Sequence, residues 1–265
     1  MIVYFITRFS ICDPGFKGFR IAADYVPLEY EQRLFDQARM DYKFEIFKTI
    51  TMPSIVGQSC DRWKWLIGIS DRMPEKYLHR LRDLVQDHPG IVLIPVPDFR
   101  AFFRMTASYD YGPCFATVRI DDDDGLNHAF VQSLQQYSNQ VGSIVSFTQG
   151  SLIKYVKGEL KIGAKVSARN NALGLAAIGL DIFHCGIHST VHERYKVIYD
   201  ATPDMFLLSC SRFADTRRGF TRFGRMVIKV RRLIFLLLHR PREVPKRWGL
   251  FYRQQLGPFF SRSSQ

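Results

Sequence analysis

The sequence predicts an α/β fold: a mostly parallel, Rossmann-like sheet flanked by helices, followed by a basic amphipathic helical extension. Three observations lead there. Short β-branched and aromatic runs at 2–6, 63–70 and 91–95 alternate with helical patterns, which implies parallel strands joined by right-handed crossovers. The 265 residues are 46% apolar and 23% charged, enough for a substantial core and unlike a disordered or fibrous chain. The net charge of +12 is concentrated at one end: residues 216–265 carry thirteen Lys and Arg against Glu243 alone, which leaves 24 basic and 24 acidic residues before them. The expected division is a neutral folded domain over 1–215 and a basic extension over 216–265.

Residues 2–6 read as a short buried strand. Thr7-Arg8-Phe9-Ser10 follows at its carboxyl end, where first strands of nucleotide-binding folds carry ligand loops, so Arg8 is a candidate for a base, ribose or diphosphate contact; a solvated loop arginine is the alternative. From Asp36 to Ile55 the apolar positions have helical period. Trp63 to Ser70 is the second strand, with Asp71 at its end, and Pro74 suits the first turn of a helix carrying Tyr77, Leu78, Leu81 and Leu84. Ile91 to Pro95 is the third strand. Val96 to Cys114 reads as a long polar-aromatic loop that could cover a substrate. Leu126, Phe130, Val131 and Leu134 predict an amphipathic helix, and 143–147 and 152–156 predict a hairpin. Asn170 to Gly179 is small and apolar, suited to backbone held close to a ligand.

The sharpest feature is Arg119-Ile120-Asp121-Asp122-Asp123-Asp124-Gly125-Leu126. Phe115 to Ile120 reads as a strand, so four carboxylates stand at its carboxyl end, where open α/β sheets bind ligands. In an extended chain Asp121 and Asp123 would face one way and Asp122 and Asp124 the other. An Asp-x-Asp pair offers hard oxygens to Mn²⁺ or Mg²⁺, with diphosphate oxygens completing the shell; a solvated acidic turn is the plain alternative.

His184, His188 and His192 are four residues apart and would share one face of a helix, a spacing that could hold zinc, but Gly186 and Thr190-Val191 oppose that helix. In the extension, Val227 to Arg240 combines an apolar surface with cations. It is shorter than the ~20 residues of a membrane span, yet it suits a helix lying in an anionic membrane interface; docking on the domain is the alternative. Five widely spaced cysteines and the lack of a signal-like amino terminus suggest a reducing, cytoplasmic setting.

Phe5-Ile6-Thr7-Arg8-Phe9, Phe47 to Ile55 with Gln58, Trp65-Leu66-Ile67 with Met73-Pro74 and Tyr77, and above all Arg119 to Leu126 resemble the rhamnosyltransferase family of bacterial glycosyltransferases over most of 1–215. The resemblance implies a GT-A-like sheet that binds a nucleoside diphosphate sugar, with an Asp-x-Asp motif holding a divalent metal on the diphosphate. It implies Asp121 and Asp123 as metal ligands with Asp124 as the alternate, His188 as a further ligand or diphosphate contact, and Arg8, Asp71, Arg119 and Asp121 on the donor. Leu208 to Phe213 departs from the His-Gly and Asn expected there. No catalytic base is identifiable; Asp200 and Asp204 lie in the acceptor half.

The function expected is a metal-dependent glycosyltransferase that moves a sugar, rhamnose by family name, to a surface-glycan or lipid-linked acceptor. It would be cytoplasmic, peripheral on the inner face of the bacterial membrane through residues 216–265, and would not bind nucleic acid. Two rivals are a nucleotidyl- or phosphotransferase using the same carboxylates, which lacks a Walker-type loop here, and a nucleic-acid-binding protein acting through its basic tail, which the neutral body opposes.

Overall fold

The computed structural model describes residues 1–16, 27–156 and 159–209. The extension over 216–265 therefore lies outside the described residues. The first strand, β1 (Ile2–Phe9), runs three residues past the expected 2–6, so Arg8 sits within the strand. α1 (Pro27–Leu34), α2 (Gln37–Ile46), a π-helical turn (Phe47–Thr51) and α3 (Met52–Val56) lead to β2 (Trp63–Ser70). α4 (Glu75–Val85), β3 (Ile91–Val96), α5 (Phe99–Ser108) and β4 (Phe115–Arg119) follow.

Helical period predicted one helix from Asp36 to Ile55, and Asp36 does cap it, its carboxylate accepting from the Arg39 N–H at 3.0 Å. The π turn in its middle answers Pro53, which has no N–H to donate to the preceding turn. The wider turn sends Phe47 against Trp65, ring centroids 5.3 Å apart, while Ile50 packs with Ile153 and Leu207. One helix thus serves two cores.

Beyond β4 come the two-residue β5 (Gly125–Leu126), α6 (Phe130–Leu134), β6 (Ile144–Phe147), β7 (Gln149–Val156), β8 (Glu159–Ser167), β9 (Leu175–Ile178), β10 (Val197–Asp200) and β11 (Phe206–Ser209). The main sheet has the order β10-β6-β9-β4-β1-β2-β3 and a second sheet the order β5-β11-β7-β8. β1, β2, β3 and β4 are parallel, as the alternation predicts. The sheet as a whole is mixed rather than mostly parallel, because β9 runs antiparallel between β4 and β6.

Four other expectations change. Val96 to Cys114 contains a helix, not a loop: Asp98 caps α5, and Phe99, Phe102 and Thr106 form its buried face. Leu126 belongs to β5, so the helix after the acidic run starts only at Phe130. The 143–147 and 152–156 runs do not pair; β6 lies in the main sheet and β7 in the second, where β8 and β11 are its partners. Leu175 to Ile178 is an interior strand, and its Ala176 and Ala177 are small because both faces are covered.

Alternation along β1 places Val3, Phe5 and Phe9 in the core beneath α2, α3 and α6, and Tyr4 and Ile6 in a smaller core beneath α5. α5 lies so close that a Cβ on Gly68 would sit 2.4 Å from the Phe102 ring. At the carboxyl end of β1 the Trp65 Nε1–H donates to Thr7 Oγ1 at 2.8 Å, and that hydroxyl donates to the Ile120 carbonyl at 2.9 Å. All three residues are buried, so the relay fixes the last turn of backbone before the acidic run.

Thr7→Val keeps the shape and removes the relay, leaving two buried polar groups unpaired. It should cost about 1–3 kcal/mol in denaturant unfolding, with Thr7→Ser recovering most of the loss.

Candidate functional site

The carboxyl ends of β4, β1, β2 and β3, in that order, form one edge, and the acidic run follows β4 beside the end of β1. β4 stops at Arg119, and residues 121–124 close a turn in which the Asp124 N–H donates to the Asp121 carbonyl at 3.2 Å. Strand alternation therefore does not govern the run. Each carboxylate meets a different neighbour.

Asp121 faces two arginines. Arg119 Nη2 lies 3.0 Å from Asp121 Oδ2 and 3.2 Å from Oδ1, and Arg8 Nη2 lies 3.3 Å from Oδ1. Burial pushes the Asp121 carboxyl up, but Arg119 and then Arg8 outweigh it and hold the group well below the usual carboxylate range. Arg8 is itself lowered to about 10, by burial and then by Arg119. Its guanidinium lies 5.7 Å from the Phe99 ring centroid and 5.6 Å from that of Phe183, one on α5 and the other after β9.

Asp122 turns inward to Lys43 on α2, whose Nζ is 2.6 Å from Oδ2 and 5.4 Å from the Phe9 ring. Burial still raises its pKa despite that ammonium. Asp123 and Asp124 have hydrogen bonds from Ser209, the last residue of β11: Ser209 Oγ donates to Asp123 Oδ2 at 3.1 Å and Ser209 N–H to Asp124 Oδ1 at 2.8 Å. Burial and then the Asp122 charge push Asp123 up to about 7; burial and then Asp123 drive Asp124 well above its usual range.

Asp71, exposed at the end of β2, shares this edge. His188 opens a 3-10 turn (His188–Glu193) near the pair of Arg119 and Asp121, both of which act on it; partial burial of its ring and then the Arg119 charge lower its pKa. His184 lies before that turn, so His184, His188 and His192 share no helical face and the zinc arrangement fails. Asp200 and Asp204 are committed elsewhere. Tyr137 Oη and the Thr202 N–H donate to Asp200 at 2.8 and 2.7 Å, while Ser151 at 3.2 Å and Lys165 bind Asp204.

Among the described residues no three His, Cys, Asp or Glu side chains gather as a metal site. The oxygens of Asp123 and Asp124 do fit a divalent cation carried by a phosphate ligand, which takes one or two carboxylates and completes its shell from phosphate and water. Their pKa values are raised by burial first and by the neighbouring carboxylates second.

Sequence reasoning missed Lys43, Ser209 and Asp13. Asp13 accepts from the Gly15 and Phe16 N–H groups through Oδ1 and from the Phe99 N–H through Oδ2, each at 3.1 Å, so it ties the loop after β1 to the start of α5. A cavity of about 350 Å³ opens between that loop, α5 and His184. Each of these contacts spans tens of residues or more along the chain except Asp13's own turn, whose Asp-Pro-Gly signal was legible.

The raised Asp123 carboxyl has a consequence for stability. Its folded pKa of about 7 exceeds an unfolded value of about 3.9, so its contribution is fully present below about pH 4 and is lost as pH rises through about 7. In metal-free buffer the wild type should lose unfolding free energy between pH 5 and pH 8, and Asp123→Asn should lose clearly less over the same interval.

Known structures with similar coordinates include S. aureus TarS 1–349 in complex with UDP-GlcNAc, at 8% sequence identity and a TM-score of 0.50, covering 93% of this chain and 69% of that one. TarS 1–349 in complex with UDP aligns at 10% identity over 98% and 80% of the two chains, with a TM-score of 0.46. At this identity the first likeness is one of fold. No curated protein matches the chain in sequence. The family model described as "Putative rhamnosyl transferase" matches residues 3–222, most of the chain, and the chain belongs to that family.

Proposed function

We propose that the protein is a metal-dependent glycosyltransferase that takes a sugar from a nucleoside diphosphate donor. One observation carries this reading: two arginines and a carboxylate pair meet in one turn at the carboxyl edge of the sheet. Guanidinium groups suit diphosphate oxygens, and the carboxylate pair suits a cation shared with them. The family description and the UDP-GlcNAc complex of TarS 1–349 support the same class of donor.

In this reading Asp123 and Asp124 hold Mn²⁺ or Mg²⁺, and Asp121 chiefly orients Arg8 and Arg119, with Asp121 and Asp123 as the ligand pair the sequence favours. A bound cation would neutralise charge developing on the departing nucleoside diphosphate. Arg8 and Arg119 stabilise the same charge, and His188 stands beside them as a contact to diphosphate or metal. Asp71 reaches the donor from the end of β2. Rhamnose is the transferred sugar by family description, and the acceptor a surface glycan or a lipid-linked glycan. Residues 1–215 are the catalytic domain, and 216–265 hold it, in the cytoplasm, to an anionic membrane surface, each cation near the leaflet contributing about 1 kcal/mol before screening.

Calorimetric titration of UDP, dTDP and GDP with and without Mn²⁺ tests the site. At least one should bind with a strong Mn²⁺ dependence that disappears in a folded Asp123→Asn/Asp124→Asn variant. Equal binding with and without Mn²⁺ would remove the cation from the account; no binding of any of them would remove the donor.

A further inference from the structure

Four consecutive aspartates offer a cation several carboxylate pairs, and the run by itself does not choose among them. Lys43 on α2 makes a choice. Its Nζ lies 2.6 Å from Asp122 Oδ2, and the two side chains are only 13% and 10% exposed. The same ammonium stands 5.4 Å from the centroid of Phe9, a fully buried ring that packs against Phe44 and Phe47 at 5.3 and 5.2 Å. Asp122 is thus drawn toward the aromatic core, whereas Asp123 and Asp124 turn to Ser209 at the end of the second sheet.

The helix that carries Lys43 is itself fixed. Arg80 on α4 grips it twice, with Nη1 2.7 Å from Asp41 Oδ1 and its guanidinium 4.4 Å from the Phe44 ring centroid. Seven residues after Lys43, Ile50 backs the other end of the run so closely that a Cβ on Gly125 would sit 3.2 Å from its Cγ2. Asp123 and Asp124 are therefore presented between two points held by one helix. The Lys43 charge also acts on Asp123, so the ammonium stands close to the place where a cation would bind. A buried ion pair of this kind is strongly destabilising to break from one side, yet removal of both partners is often tolerated.

We infer that Lys43 is a positioning residue for the cation: by holding Asp122 in the core it withholds that carboxylate from the metal shell and leaves Asp123 and Asp124 as the ligands. The inference rests on the cation site proposed above but concerns only the choice of carboxylates. It has a converse. Methionine in place of Lys43 keeps an apolar stem against Phe9 and removes the ammonium, and Asp122 is then released to serve a divalent ion.

The test is Mn²⁺ binding to the full chain, read from the electron paramagnetic resonance signal of the free ion in saturating UDP, dTDP or GDP, whichever the wild type binds. Lys43→Met/Asp122→Asn removes the pair without changing the net charge, and its Mn²⁺ affinity should stay within about threefold of wild type. Asp123→Asn should weaken Mn²⁺ on the order of tenfold or more. Adding Lys43→Met to Asp123→Asn, which also restores the charge balance, should recover most of that loss; adding Lys43→Arg, which keeps Asp122 held, should recover none of it. A tenfold loss in folded Lys43→Met/Asp122→Asn would make Asp122 a ligand and overturn the inference, as would a failure of Lys43→Met to recover Asp123→Asn. Should either double variant not fold, the other decides. Either result leaves the glycosyltransferase reading intact, whereas a wild type that binds no Mn²⁺ with any of the three nucleotides overturns the cation site and the inference together.

Discussion

Holding four consecutive carboxylates, two of them buried, at the end of a central strand is the constraint to which this structure is fitted. Asp122 and Asp124 are 8% and 6% exposed, and a carboxylate withdrawn from water that far costs several kcal/mol unless charge or hydrogen bonds replace the solvent. Compensation comes from widely separated parts of the chain. Arg8 arrives from β1, Arg119 from β4, Lys43 from α2 and Ser209 from β11. Among the described residues three cations stand in contact with Asp121 and Asp122, while Asp123 and Asp124 take hydrogen bonds from Ser209.

Several features of the fold follow from holding the turn in place. The relay from Trp65 through Thr7 to the Ile120 carbonyl fixes the backbone that enters it. β5 leaves it and pairs at once with β11, whose final residue returns to cap Asp123 and Asp124. The second sheet is thereby fastened to the acidic turn at both ends of one short pairing. Gln58, just past the end of α3, adds a clamp: its Nε2 donates to the Asn127 carbonyl at 2.7 Å and its Oε1 accepts the Val131 N–H at 2.9 Å. The π turn keeps the long helix in contact with both sheets, so Lys43 can reach Asp122 while Ile50 packs beside Gly125.

The parallel half of the fold was legible because it is local. Three apolar runs, two helical patterns and their alternation define β1 to β3, and the acidic run announces the edge where it stands. The rest depends on pairings that periodicity does not carry. Nothing in Ile144 to Phe147 or Gln149 to Val156 says that they join different sheets, and a short connection between two strand-like runs reads most simply as a hairpin. α5 was missed because its aromatic residues and arginines look like a binding loop; its buried face emerges only when Phe99, Phe102 and Thr106 are counted together. At the site, residue types pointed to cation and diphosphate chemistry, but which carboxylate is free depends on Lys43 and Ser209, 79 and 86 residues away along the chain.

The central claim is that the turn at 121–124 is where cation and donor diphosphate meet. Anomalous diffraction at a manganese-sensitive wavelength, from crystals grown with Mn²⁺ and UDP or dTDP, tests it most directly. The account predicts a manganese peak within bonding distance of Asp123 or Asp124 oxygens, with diphosphate density between that peak and the guanidinium groups of Arg8 and Arg119. Nucleotide density without manganese at the turn, or manganese held elsewhere, would contradict it.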